Sequence, residues 1–243
     1  MHCSVHLLET SPQTAARLLA QRWSRSQPAG LLHAEPMTAM ELGTTVVSTR
    51  RFRAGRVVLV ARWESFDHLD AWLADDPAGR RWAQGWHVRL EPLRRWGRVR
   101  GLDDVPEQVQ PHDPAEPVVA VTLARLRLPE VPRFVRWGRP VEEQVRDAPG
   151  QVLALAAAAP PRTVSTVTVW RSAQAMTDMV TGRSAGPGAR RHVEAMAERG
   201  RRDFHHEFTT LRFRCLEEHG SWEGRTGIVP TSSGGGGGPV TSL

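Results

Sequence analysis

The stretch VVLVARWES at residues 57–65 decides the fold, because it returns in altered form as VSTVTVWRS at residues 164–172. In each copy a strand rich in β-branched residues ends in a tryptophan, and two residues later a serine is placed to cap the next helix. Trp63 and Trp170 lie 107 residues apart, as do Ser65 and Ser172. The spacing predicts two copies of one unit, with both tryptophans in the core.

Each half, followed outward from these stretches, has the element order strand, helix, strand, strand, helix, strand. The predicted strands are Ser4–Leu8, Met37–Val47, Arg56–Arg62 and Trp86–Leu93 in the first half, and Val118–Leu128, Gln151–Ala157, Thr163–Trp170 and His206–Leu216 in the second. Helices are predicted after Ser11, Ser65 and Asp76, over Glu130–Arg146, after Ser172, and over Pro187–Arg199. We therefore predict an α+β fold in which two tandem ferredoxin-like (βαββαβ) repeats form an intrachain dimeric α+β barrel, since closure removes exposed strand edges.

Composition sets the boundaries of these repeats. The stretch 102–117 carries four prolines and is predicted to be a linker between repeats at 1–101 and 118–225. The stretch 226–243 contains five consecutive glycines and is predicted to be a disordered tail. Tandem repeats need no second chain for barrel closure, although they do not forbid a homodimer.

Charge and hydropathy exclude several classes of partner. The net charge is +6, but all 32 basic residues are arginines scattered between acidic residues, so we expect no nucleic-acid partner. No apolar run reaches the roughly 18 residues of a membrane helix, and the N-terminus lacks a signal-like pattern. Cys3 and Cys215 form no disulfide or metal pattern. We expect a soluble, cytoplasmic protein without an integral membrane segment.

Several short motifs in the second half occur in a familiar order. They are Arg133–Trp137, the Pro149-Gly150 turn, the strand end Thr166–Trp170, Met176, His192 before Phe204, and the final stretch 210–225. In this order they resemble the spheroidene monooxygenase family, and a looser match extends the resemblance over most of residues 3–225. The resemblance implies a fused pair of ferredoxin-like repeats, a haem cofactor and ketolation of a carotenoid. Two stretches depart from the family, Ala156–Pro161 and Pro36–Thr38. Both are candidates for lining the pocket, so the resemblance does not fix the identity of the substrate.

The candidate site centres on His192, which we predict to be the haem iron ligand. Haem iron needs an axial donor such as a neutral imidazole on a firm element. The duplication aligns His192 with Trp82 of the first half, and the resemblance also implies a haem ligand there. Met196 lies one turn along the same helix face, and Arg191 is a candidate partner for a haem propionate, as are Arg183 and Arg190.

Other histidines compete for this role. His205 and His206 are adjacent, so on a strand only one of them faces inward, where it is a candidate distal group. His33 in a loop and His87 on a strand that could look into the barrel are the remaining alternatives. No spacing typical of a zinc or non-haem iron site is present, nor is a phosphate loop, a dinucleotide fingerprint or a nucleophile elbow.

These observations predict a haem-dependent monooxygenase that oxidises a small hydrophobic or specialised metabolite. It would need an electron donor protein or another reductant, and the substrate is expected to meet dioxygen on the haem face turned toward the first half of the barrel. Three alternatives stay open. They are a haem enzyme acting on a nitrogen–oxygen substrate, a cofactor-free α+β barrel oxygenase, and a non-catalytic module that binds a hydrophobic ligand.

Overall fold

A computed structural model describes residues 1–21, 27–44, 51–108, 110–185 and 188–231 of the 243. The first repeat consists of β1 (His2–Glu9), α1 (Pro12–Leu19), β2 (Leu31–Met40), β3 (Phe52–Trp63), α2 (Phe66–Asp75), α3 (Pro77–Trp82) and β4 (Trp86–Arg98). The second consists of β5 (Val118–Leu126), a 3-10 turn (Leu128–Glu130), α4 (Val131–Arg146), β6 (Gln151–Ala159), β7 (Thr163–Trp170), α5 (Ala173–Thr181), α6 (Arg191–Arg201) and β8 (His205–His219).

The eight strands close into one antiparallel barrel in the order β1-β3-β2-β6-β7-β5-β8-β4. Each half contributes its strands in the same relative order, the fourth beside the first, then the third, then the second. The halves join where β2 pairs with β6 through Thr38–Met40 and where β4 pairs with β8 along most of its length. The predicted fold class is confirmed.

The predicted helix caps and core tryptophans are also confirmed. The Ser65 and Ser172 hydroxyls accept hydrogen bonds from the backbone N–H groups three residues on, which begins α2 and α5. Trp63 and Trp170 are each 1% exposed, and each indole N–H donates to a nearby hydroxyl at 2.9 Å. The two copies of the strand-tryptophan-serine motif therefore form the same strand-to-helix connection in each half.

Three layers of apolar side chains result. One fills the barrel interior, and alternate residues of every strand point into it, such as Val5, Val60, Val121 and Leu211. The second lies between the first half of the sheet and α1–α3, and the third lies between the second half and α4–α5. No helix within the described ranges has both the length and the apolar character needed to cross a membrane.

Several boundaries differ from the sequence prediction. β2 ends at Met40 and begins six residues earlier than predicted, since it tolerates Pro36 on a stretch that lacks a β6 neighbour. In the predicted linker, Leu102 and Val105 are buried against the barrel interior. Residues 45–47 of the predicted second strand, Pro187 of the predicted last helix and tail residues 232–243 lie outside the described residues.

The predicted tail also begins too early, because Ile228 is 1% exposed and packs into the barrel interior. Glu218 holds this segment in place. Its carboxylate accepts hydrogen bonds from the backbone N–H groups of Ile228 at 2.6 Å and Val229 at 2.9 Å. The apolar Ile-Val pair and a carboxylate 10 residues before Ile228 together order a stretch that composition alone marks as a tail.

Candidate functional site

An apolar cavity of about 200 Å³ lies between the second half of the sheet and helices α4, α5 and α6. It lies on the outer face of the sheet and not inside the barrel, whose interior is filled by side chains. Met40, Leu42 and Arg51 of the first half reach its edge, so a substrate site turned toward the first half of the barrel stays a prediction. Of the two departing stretches, Ala156 lines the cavity, whereas Met37 is buried in the barrel interior.

Small side chains on the strands leave the space. The outward positions Ala120, Ala124, Ala156, Thr166 and Thr168 all line the cavity. At the matching outward positions of the first half, 107 residues earlier, Thr166 corresponds to Leu59 and Thr168 to Ala61, both of which are fully packed. Leu59 is larger than Thr166, whereas Ala61 is smaller than Thr168, so the strand volume lost in the second half lies at the first of these two positions.

His192 lines this cavity from the second position of α6. Its Nδ1 lies 3.0 Å from the Val180 carbonyl oxygen, which makes Nδ1–H the donor and leaves Nε2 as the free lone pair. No hydrogen bond to Nε2 is found among the described residues. Burial lowers the pKa of His192, and the Val180 hydrogen bond opposes that shift, so the ring is neutral at neutral pH.

Gln144 on α4 fixes the start of α6, and nothing in the sequence pattern marked it. No side chain caps α6 locally, and the Gln144 carbonyl oxygen accepts the His192 backbone N–H at 2.7 Å instead. Its amide nitrogen donates to the carbonyl oxygens of Met179 at 3.1 Å and Ala189 at 2.8 Å. One buried amide thus ties α4, α5 and α6 together around the His192 ring.

Only some of the other predicted site residues lie at the cavity. Met196 lines the cavity one turn after His192. Arg191 does not line it, because its guanidinium turns to α4 and pairs with Glu143 at 2.9 Å. Arg183 pairs with Asp178 at 3.5 Å and Arg190 is exposed. The structure brings together His192 and Met196 and leaves these three arginines outside the lining.

The predicted equivalence of Trp82 and His192 holds only in part. Both lie in the last helix before the final strand of their repeat. Trp82, however, is the last residue of the six-residue α3, whereas His192 is the second residue of the eleven-residue α6. The two side chains therefore do not occupy matching positions in their helices.

His205 is a second imidazole in the same cavity lining. It is 5% exposed, its Nδ1 lies 2.9 Å from an Asp203 carboxylate oxygen, and its buried Nε2 has no partner in the described part of the chain. The rings of Phe134, Phe204 and Phe208 surround it. Burial lowers the pKa of His205 and Asp203 opposes this, while the adjacent His206 is exposed.

A salt bridge connects the two halves at the edge of the cavity. Arg51, which is 8% exposed, forms a bidentate salt bridge with Glu142 of α4, with nitrogen–oxygen distances of 2.7 and 2.9 Å. Arg51 also lines a second, more polar cavity of about 220 Å³ beside Trp222 and Glu223. The sequence offered no signal for this pair, because 91 residues separate its members.

The remaining histidines lie elsewhere. His33 lies 3.1 Å from Glu35, and neither lines the apolar cavity. His87 faces away from the barrel interior, unlike its neighbours Trp86 and Val88, and stacks between other histidines. Within the described ranges no three His, Cys, Asp or Glu side chains are grouped as a metal ion would require.

Comparisons with known proteins find only distant likenesses. No protein-family model matches the chain, and no curated protein matches it. An anthrone oxidase-like protein superposes over 90% of this chain and 92% of its own with 12% identity and a TM-score of 0.33. An aldoxime dehydratase in complex with butyraldoxime covers 89% and 79% with 10% identity and a TM-score of 0.49. A haem-degrading enzyme from Listeria monocytogenes covers 86% and 98% with 11% identity and a TM-score of 0.28. Values this low carry no information on substrate or cofactor.

Proposed function

We propose that this protein is a haem-dependent monooxygenase of the spheroidene monooxygenase type that oxidises a small hydrophobic molecule, with His192 as the iron ligand. One observation carries the proposal. A neutral imidazole in an apolar cavity has its Nδ1 bound to a backbone carbonyl, while its Nε2 has no partner among the described residues. Histidines that bind metals through Nε2 are commonly oriented in this way by a hydrogen bond from Nδ1.

The imidazole donor suits haem iron, but the volume of the cavity limits what can enter it. A cavity of about 200 Å³ is below the roughly 300–1,000 Å³ of common small-molecule sites, so haem entry requires the helices to move away from the sheet. The three helices would have to move as the unit that Gln144 holds together, so that His192 keeps its hydrogen bond to Val180 on α5. Met196 and the small side chains on the sheet would then contact the ring system.

Each protein group has a definable task. Gln144 positions the His192 backbone, and the Val180 carbonyl oxygen holds the tautomer that presents Nε2. The apolar walls exclude water and bind a hydrophobic substrate, and His205 offers one buried hydrogen-bond acceptor to it. A bound haem would supply the oxidative chemistry, with electrons from an external reductant.

The experiment is a haem titration of the purified protein followed by absorption spectroscopy. We expect a Soret band at one haem per chain, and we expect His192→Ala to lose it while retaining a folded circular dichroism spectrum. His206→Ala is the matched control, because that exposed histidine lies outside the cavity. A band that survives His192→Ala and disappears in His205→Ala would reassign the ligand, and the absence of any band would reject the haem proposal.

A second candidate is a cofactor-free oxygenase, which the Asp203–His205 pair favours. A neutral imidazole backed by a carboxylate can take a proton from a bound substrate, and the resulting anion can transfer electrons to dioxygen. Colourless protein that consumes dioxygen with a hydrophobic phenol or enol would support this candidate. In that case His205→Gln should stop the reaction and His192→Ala should not. Colourless protein without turnover would leave hydrophobic-ligand binding as its role.

A further inference from the structure

Two arginines face each other across the joint between the halves. Arg94 of β4 and Arg212 of β8 are cross-strand partners in register. Both lie beside the ring of Trp96, with the guanidinium carbons 4.2 and 5.2 Å from its centroid. Like charges in directly opposite positions destabilise a sheet, so this arrangement requires an explanation.

Neither guanidinium has an acidic partner. No ion pair involves Arg94 or Arg212, and every Asp and Glu of the chain lies within the described residues. The neighbouring Arg214 on the same face of β8 differs. It pairs with Glu91 at 2.7 Å and Glu116 at 3.4 Å. The absence of neutralisation is therefore a property of this pair and not of the strand.

Both side chains also carry buried, unused donors. Arg212 is 9% exposed, and the Nε atoms of Arg94 and Arg212 are buried with no hydrogen-bond partner in the part of the chain described. Arg212 donates one hydrogen bond, to the Thr177 hydroxyl at 3.3 Å. Burial, and then the charge of Arg94, lower the pKa of Arg212. Buried donors and charges are costly unless something satisfies them.

The pair lies next to the apolar cavity. Thr210, two residues before Arg212 on the same face of β8, lines that cavity. Thr177, which binds Arg212, directly follows the lining residue Met176 on α5. A molecule in the cavity that carries an anionic group would place it near these arginines.

We propose that Arg94 and Arg212 form a binding site for an oxyanion, a carboxylate or a phosphate group, at the edge of the cavity. Guanidinium groups match both anions with paired N–H donors. The anion neutralises two facing charges and accepts hydrogen bonds from the unused donors. Its source is either the acid group of a molecule held in the cavity or a free anion, and the site itself does not depend on haem.

The test is the thermal unfolding midpoint of haem-free protein with inorganic phosphate, against sodium chloride at equal ionic strength. We expect phosphate at several times its dissociation constant to raise the midpoint by about 2–4 °C. Arg94→Gln and Arg212→Gln should each lose this shift, with an unchanged or higher midpoint in chloride. Arg214→Gln is the matched control and should keep the shift. No phosphate-specific shift, or an equal loss in Arg214→Gln, would overturn the proposal.

The two sources are separated by repeating the phosphate measurement on protein loaded with haem or with haem dimethyl ester, which lacks the acid groups. If the anion belongs to a molecule in the cavity, haem should abolish the phosphate shift and the ester should not. If it is a free anion, the shift should persist with both. Failure of haem to bind would reject the haem proposal alone, because the phosphate shift of the haem-free protein stands independently.

Discussion

The two halves of the barrel share their strands and caps but differ in what lies under their helices. In the first half, Trp63, Trp72 and Trp82 fill the layer between sheet and helices and are at most 3% exposed. In the second half, Trp170 keeps its place, while small strand residues and His192 surround a cavity. The two halves therefore share one support, and the second half leaves a cavity where the first half is filled by side chains.

Glycines show the same difference at atomic scale. A Cβ on Gly79 of α3 would lie 1.9 Å from the Trp72 carbonyl oxygen, so α2 and α3 touch through that glycine. A Cβ on Gly138 of α4 would meet nothing closer than the Phe134 ring at 3.7 Å, an ordinary contact. The helix layer of the first half is packed to the backbone at Gly79, and that of the second half is not at Gly138.

The largest expected effect breaks the packed half. Trp82→Ala should lower the free energy of unfolding by about 3–5 kcal/mol, because it removes a fully buried indole. Trp137→Ala is the matched change in the second half, and should cost no more than about 2 kcal/mol, since this partly exposed indole already borders the cavity. Urea denaturation measures both, and equal losses would contradict the difference between the halves.

The next-largest effect is a pH dependence of stability that arises from His87 in the first half. Burial, and then the neighbouring His219, lower the pKa of His87 from 6.5 to about 4. At pH values between these two pKa values, His87 is protonated in the unfolded chain and neutral in the native protein. The free energy of unfolding therefore falls as the pH drops from about 6.5 to about 4. The loss is at most roughly 3 kcal/mol, because solvent reaching the stack through the exposed His219 ring screens the charge.

His87→Gln should reduce the slope of this acid limb, measured as the urea midpoint from pH 7 to pH 4. Burial also lowers the pKa values of His6, His192 and His205, and these groups account for the slope that stays. His206→Gln serves as the control in the second half, since its exposed ring should leave the slope unchanged. An unaltered slope in His87→Gln would show that another group carries the acid sensitivity.

The smallest effect sharpens the glycine comparison. Gly79→Ala should cost about 1–3 kcal/mol through its clash with the backbone. Gly138→Ala should instead stabilise by about 0.5–1 kcal/mol, because alanine favours the helix interior and the site has room. Thermal and urea unfolding of both variants measure the signs, and the same sign for both would argue against an open second half.

Local patterns and duplication predicted the architecture. The Ser65 and Ser172 caps and the burial of Trp63 and Trp170 follow from short stretches, and closure of the barrel follows from repeating them. The location of the cavity could not be predicted in this way, because it depends on how α4–α6 cover the sheet. The sequence predicts His192 as a lone imidazole on a helix, whereas its free Nε2 depends on Gln144 and Val180.

Contacts that depend on residues distant in sequence could not be predicted from these patterns. The Asp203–His205 contact is local, but its burial depends on α4, which contributes Phe134. Arg94 and Arg212 meet across the β4–β8 joint, and their register depends on strand irregularities that no composition reveals. The elements and two of the cavity-lining residues, His192 and Met196, were therefore predictable from the sequence, whereas the other contacts depend on closure of the sheet.

The most direct test of the central claim, that the second half binds haem iron through His192, is chemical rescue. His192→Gly should lack the Soret band of haem-loaded wild-type protein, and added imidazole should restore it by occupying the vacated position. A full band in His192→Gly without imidazole would contradict the claim, as would a band that imidazole fails to restore in a folded variant.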